Sequence, residues 1–317
     1  MREGSVMKLI FIVLLFLSGC TSLGVHIQKY VQNSPSANKV WLDADFACKG
    51  NQPAKADPDD CVAAWLFARR PWQIVGVSTT GGNDTGEVAF HAGLATVTAI
   101  SQSISIYRGE DSCSSPMVIA FAKVVSASPK EVTYLALGPL TNLATVIRCR
   151  PEVALMIKEV VFVGGRRDGQ RFKPNPNWVW HLEMRDLNFE VDPSAAREVF
   201  ALKIPVVMIG FEAGLAVPIH ASAFAETNIP EYLKERLREW SSLSWVLWGV
   251  EGVLPFDPVA VAYVLWPQEF TCEAVITNIK GGNLVVQNVN FSSKTFCTVK
   301  DPNQLRAEIL TLLVRKD

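Results

Sequence analysis

Charge is scarce in this chain of 317 residues. Lys and Arg number 30 against 31 Asp and Glu, a formal net charge of -1, and charged residues make up only 19% of the total. So even a balance creates no field that would attract nucleic acid. Internal repeats and low-complexity linkers are also missing. Nothing therefore divides the globular portion, and a single α/β domain over residues 38–317 is expected. Long hydrophobic runs are confined to the N-terminus, where the apolar stretch from Leu9 to Leu17 is too short for a comfortable membrane span. Apolar residues still reach 49%, enough for a large core.

That short apolar stretch has another reading. It follows a basic start, Arg2 and Lys8, and ends in Leu17-Ser18-Gly19-Cys20, the order of a secretory signal. Leu-Ser-Gly-Cys also resembles the bacterial lipobox, in which the cysteine is lipidated and becomes the mature N-terminus. The expectation is a lipoprotein signal over residues 1–19 and a lipidated tether over residues 20–37. Cys20 would anchor the protein in the cell envelope, and Thr21 after it suits the periplasmic face of the outer membrane. The alternative is an uncleaved anchor helix. Beyond Cys20 stand six cysteines, Cys48, Cys61, Cys113, Cys149, Cys272 and Cys297, an even number suited to an oxidising compartment. Cys272 and Cys297 lie in β-rich segments and are either paired or buried as thiols.

Apolar runs of strand length recur at "KVWLDAD", "QIVGVST", "SISIYRG", "VTYLALG", "VVFVGG" and "IPVVMIG". Most are followed by helical periodicity, as in "DDCVAAWLFARR", "GEVAFHAGLATVTAI" and "LTNLATVIRC". Runs that are apolar on both faces and joined by helices predict a Rossmann-like fold with a mainly parallel sheet flanked by helices. Ligands in such sheets sit at the carboxyl ends of the strands. Polar and glycine residues fall there: Asp43 and Asp45, then Asn83, Gly138, Gly164 and Gly165.

The densest of these groups is a set of carboxylates, Asp43, Asp45, Asp57, Asp59 and Asp60. Capping of the first helix accounts for Asp57 or Asp59, because a helix N-terminus favours anions. It does not account for Asp43 and Asp45 at the end of a buried strand. Uncompensated, such carboxylates would repel one another and take up protons. A bound cation resolves both difficulties, and oxygen ligands without His or Cys favour a hard ion, Ca²⁺ before Mg²⁺.

Taken in order, "LDAD", "DPDDCVAAW", "VGVSTTGGN", "ALGPLTNLATVIRCRPE", "VVFVGG", "RDLNFEVDPSAA" and "FDPVAVAYVL" resemble the inosine-uridine-preferring nucleoside hydrolase family across residues 38–268. The resemblance implies the nucleoside hydrolase fold and hydrolysis of the N-glycosidic bond of ribonucleosides with one Ca²⁺. It implies that Asp45, Asp60 and Asp257 offer carboxylate oxygens to the ion and Leu137 its carbonyl. Asp45 would also be the general base. Asp59, Asn83, Asp186 and Asn188 fall at sugar-binding positions, with Asp186 where the family has Glu. Phe256 stands where one branch has an acid His and a purine-preferring branch an aromatic residue. A purine stacked on Phe256 is therefore the expected substrate moiety, set against Phe256 as plain core. Trp178, Trp180, Trp245 and Trp248 fall in segments where the family has active-site loops, His181 is the nearby alternative acid, and Asp84 either contacts the base or caps a helix. A homo-oligomer is consistent with the resemblance.

The sequence departs from the family pattern in one place. "FACKGNQPAKADP" intervenes between Asp45 and Asp59, and is expected to fold over the metal site as a partial lid, with Cys48 and Cys61 either bridging its base or, for Cys61, buried free. Two other classes remain. A haloacid-dehalogenase-type phosphatase also ends its first strand in Asp-x-Asp, but its later motifs have no counterpart in order here. An exported binding lipoprotein on the same fold, without turnover, is the second.

Overall fold

The computed structural model describes residues 39–48, 57–68 and 73–314. The expected signal, Cys20 and tether, and the middle of the segment inserted after Asp45, lie outside the described residues. Lys39–Asp317 forms one compact unit. No described helix is long and apolar enough to cross a membrane.

Its frame is a sheet of β1 (Lys39–Ala44), β2 (Gln73–Thr79), β3 (Ile106–Arg108), β4 (Val132–Ala136), β5 (Glu159–Val163), β6 (Arg166–Arg167), β7 (Val206–Ile209), β8 (Phe270–Lys280), β9 (Asn283–Asn288) and β10 (Lys294–Val299). The strand order is β3-β2-β1-β4-β5-β7-β10-β8-β9-β6. All pairings from β3 across to β10 are parallel. The antiparallel β8 and β9 then extend the sheet beyond β10. All six strands predicted from apolar runs are present, and the β-rich segments around Cys272 and Cys297 are β8 and β10, while the small β6 and β9 were not foreseen.

The longer helices are α1 (Asp59–Ala68), α2 (Gly86–Ile100), α3 (Pro116–Ala127), α4 (Thr141–Cys149), α5 (Pro193–Ala201), α6 (Glu231–Trp248), α7 (Phe256–Leu265) and α8 (Pro302–Val314). They cover both sheet faces because central strands project apolar side chains to both sides. Val40, Leu42 and Ala44 of β1 join a core with α1, α7 and α8, whereas Trp41 between them joins the opposite core with α3, α4 and α5. Trp41 stacks on Tyr107 at 5.6 Å and meets the edge of Phe121 at 5.1 Å. Gly76 is required beneath it, because a Cβ there would lie 2.3 Å from the indole.

Three disulfides brace this frame, Cys48–Cys61, Cys113–Cys149 and Cys272–Cys297. The last links directly opposed residues of β8 and β10. Cys113–Cys149 ties the approach to α3 to the end of α4, a pairing that sequence spacing did not suggest.

The chain runs outward from β1 through β2 and β3, then crosses back to β4 on the other flank of β1. That reversal opens a crevice beyond the carboxyl ends of β1 and β4, where doubly wound sheets receive ligands.

Candidate functional site

The two aspartates at the end of β1 have separate tasks. Asp43 is fully buried and accepts hydrogen bonds from Ser78 Oγ (2.6 Å), Tyr134 Oη (2.7 Å) and Asn142 Nδ2 (2.8 Å). Burial raises its pKa and these three donors oppose the rise. With both oxygens engaged, Asp43 joins β1, β2, β4 and α4 and does not face the crevice.

Asp45, one residue past the strand, does face it. Its Oδ2 accepts the backbone N–H of Asn83 at 2.7 Å. Gly82 makes that approach possible, since a Cβ there would lie 1.8 Å from the same oxygen. Burial pushes the Asp45 pKa up to about 7, the Asn83 bond restrains it, and the charge of Asp57 adds to the rise.

Two helix N-termini bring further carboxylates to the same place. Asp59 and Asp60 occupy the first turn of α1, and Asp257 the first turn of α7. All three are at least 95% buried, and one oxygen of each lies within 4.8 Å of the others. The Asp257 backbone N–H donates to Asp59 Oδ2 at 3.1 Å. Both carboxylate oxygens of Asp60, by contrast, are buried and meet no N–H or O–H donor among the described residues. Burial first, then the neighbouring carboxylates, holds Asp59, Asp60 and Asp257 well above the ordinary carboxylate range. Helix dipoles contribute only ~0.3–1 kcal/mol each near such groups. They cannot neutralise several buried charges, whereas a divalent cation with oxygen ligands can.

A cavity of about 560 Å³ opens above this cluster. The residues expected to hold the ion and the sugar, and Phe256 beside them, all line it: Asp45, Asp59, Asp60, Asn83, Leu137, Asp186, Asn188, Phe256 and Asp257. Asn188 Nδ2 donates to the carbonyls of Leu137 (2.7 Å) and Val163 (3.1 Å), so it bridges the ends of β4 and β5. The Leu137 oxygen keeps a second lone pair. Asp186 accepts the N–H of Gly165 at 2.8 Å, and burial brings its pKa to about 6. Asn83 donates its side-chain amide to Asp57 Oδ2 at 3.0 Å, which places a further carboxylate on the wall.

The opposite character is found along the other walls. Phe211 stacks on Phe172 with centroids 4.2 Å apart, and Phe256 continues the array 6.1 Å from Phe211. The Arg166 guanidinium lies 3.8 Å from the Phe172 ring centre. One stripe of α6, Trp240, Leu243, Leu247 and Trp248, lines the cavity at helical spacing. The buried Trp240 Nε1 has no acceptor among the described residues.

Several other expectations fall away from this wall. Trp178 packs on Trp245 and donates Nε1 to the Val246 carbonyl, while Trp180 is exposed. Neither these three tryptophans nor His181 and Asp84 line the cavity. Asp84 instead accepts the N–H of Thr85, and Thr85 caps α2. Sequence reasoning missed Phe172, Phe211 and Trp240, which stand in three separate segments and come together only when the chain folds.

Fold and cavity define a doubly wound α/β protein with a carboxylate site at its strand ends. Residues 40–308 match the sequence profile of the inosine-uridine preferring nucleoside hydrolase family, and the chain belongs to that family. It is 30% identical over 198 residues to the pyrimidine-specific ribonucleoside hydrolase RihA of Citrobacter koseri, covering 57% of each chain. RihA of Salmonella typhimurium is 28% identical over 190 residues, with 57% of this chain and 58% of that one aligned. The chain thus spans little more than half the length of these curated relatives. Among solved structures, the purine-preferring ribonucleoside hydrolase from Gardnerella vaginalis superposes with a TM-score of 0.73 at 20% identity, over 87% of this chain and 98% of that one. The plant nucleoside hydrolase PpNRh1 gives 0.73 at 16% identity, over 88% and 100%. These last two likenesses are of fold.

Proposed function

We propose that this protein hydrolyses the N-glycosidic bond of ribonucleosides, with a preference for purines, using one Ca²⁺. The observation that carries this reading is Asp60, whose two buried oxygens lack any donor among the described residues and which lines an aromatic-walled cavity. An orphaned carboxylate amid an oxygen-only donor set fits a hard cation. Asp45, Asp60, Asp257 and the Leu137 carbonyl would hold it. When bound, the ion supplies charge compensation and Lewis-acid polarisation of its oxygen ligands.

The protein's own groups do the rest. Asp59 and Asn83 accept and donate hydrogen bonds to the ribose hydroxyls, and Asp186 and Asn188 hold its 5′ side. Asp45 takes a proton from the attacking water as oxygen adds to C1′ and the bond to the base nitrogen breaks. The sugar passes through an oxocarbenium-like state, which the surrounding carboxylates favour. No His stands before Asp257, so the departing base is served by stacking on Phe256, extended by Phe211 and Phe172, and takes its proton from solvent. Trp240, Leu243, Leu247 and Trp248 of α6 complete the apolar wall around the base.

The test is ribose release from inosine, guanosine, adenosine and uridine by chelator-stripped protein, with and without Ca²⁺. The reading expects purine-selective release that Ca²⁺ restores and Asp45→Ala abolishes. Ca²⁺ binding without release from any nucleoside would instead favour a binding protein on this fold. The same reading places the protein in the bacterial envelope, anchored through Cys20, and three disulfides suit that oxidising setting. Palmitate labelling that persists in Cys20→Ser would remove the anchor. A homo-oligomer is part of the proposal and is tested by light scattering of the soluble domain.

A further inference from the structure

In the reading above Asp45 and Asp60 serve one cation, yet the insertion separates them in the chain. Cys48 stands three residues beyond Asp45, and Cys61 follows Asp60 directly. Both cysteines are fully buried, and they are bonded across a separation of 13 residues. The bridge therefore gives a short covalent path from one carboxylate carrier to the other that bypasses the insertion.

The surroundings fasten this path to the fold. Cys61 Sγ lies 3.1 Å from Thr96 Oγ1 on α2. Phe46 is fully buried against the same helix, where a Cβ on Gly93 would lie 2.8 Å from its ring. At the far end of the insertion, Asp57 is held by the Asn83 amide, and Asn83 in turn donates its backbone N–H to Asp45. None of the bridged cysteines lines the cavity itself, but Cys61 adjoins Asp60 of its wall, whereas the cysteines of the other two disulfides adjoin no wall residue.

We infer that the Cys48–Cys61 disulfide is a positioning device for the cation site: it ties the turn that carries Asp45 to the start of α1 that carries Asp60, so cation affinity depends on this bond and not on the other two. The inference rests on the Ca²⁺ reading above. The repulsion among these buried carboxylates works to part β1 from α1 whenever the ion is absent, and the bridge resists that separation.

The experiment is Ca²⁺ titration calorimetry on the full chain, comparing wild type, Cys48→Val/Cys61→Ala and Cys272→Ala/Cys297→Ala. The first pair is expected to weaken Ca²⁺ binding by roughly tenfold or more. The second should leave the Kd within about twofold while lowering Tm, which separates positioning from general stabilisation. Wild-type affinity in folded Cys48→Val/Cys61→Ala overturns the inference. Failure of wild type to bind Ca²⁺ overturns the Ca²⁺ reading and this inference with it. Should the first variant not fold, wild type treated with a phosphine reductant gives the same comparison. Alkylation and peptide mass mapping identify which bridges have opened, and unchanged affinity with Cys48 and Cys61 reduced is again the overturning result.

Discussion

Replacing Asp45 with Asn should stabilise the metal-free protein, although it removes the proposed general base. The pKa of Asp45 is about 7 when folded against 3.8 unperturbed, with burial the main cause. A group whose folded pKa is raised leaves stability intact below the unfolded value and costs stability as pH climbs through the folded one. At ~1.4 kcal/mol per pH unit, the cost of carrying this carboxyl grows from near zero at pH 4 to about 4 kcal/mol at pH 8. Asn is isosteric, and its Oδ1 can keep the bond from Asn83. In a chelator, Asp45→Asn should therefore melt higher than wild type at pH 8, by on the order of 8 °C for a domain of this size. At pH 5 the gain should shrink to well under half. Thermal unfolding by circular dichroism across pH 4–8 measures both. A variant that melts below wild type at pH 8, or a difference that does not change with pH, would refute the argument.

Three further outcomes follow from the same geometry. Ca²⁺ at a hundredfold excess over its Kd should stabilise wild type by ~2.7 kcal/mol, and Asp60→Ala should lose that gain, as read by the Ca²⁺-dependent rise in Tm. Asp43→Ala should destabilise by roughly 3–5 kcal/mol without Ca²⁺ present, because Ser78, Tyr134 and Asn142 lose a buried acceptor, and urea unfolding gives the value. Phe211→Ala should raise KM for inosine about tenfold through lost stacking, with a smaller effect for uridine, which steady-state ribose release will show.

Much of the fold was legible because parallel strands buried on both faces are written as unbroken apolar runs. "KVWLDA" could hardly be anything but a central strand once Val40, Trp41 and Leu42 were read together. The carboxylates were legible for the converse reason: charges so dense at a strand end and a helix start have no cheap structural explanation. What sequence could not do was divide them. Asp43 and Asp45 look alike in a chain, and only the packing of Ser78, Tyr134 and Asn142 around one makes it a structural acceptor and leaves the other facing the cavity.

The aromatic walls show the opposite case. Phe172, Phe211 and Trp240 come from a loop, a short helical turn and the long helix α6, and nothing local marks them. Their convergence depends on how β5, β7 and α6 meet, which is a long-range matter of packing. The sequence by itself determined the element types, the strand ends and the residue chemistry gathered there, because those follow from local periodicity and charge. The tertiary structure alone decided which oxygens are left without donors, which rings face one another and which cysteines join, because each depends on distances between segments far apart in the chain.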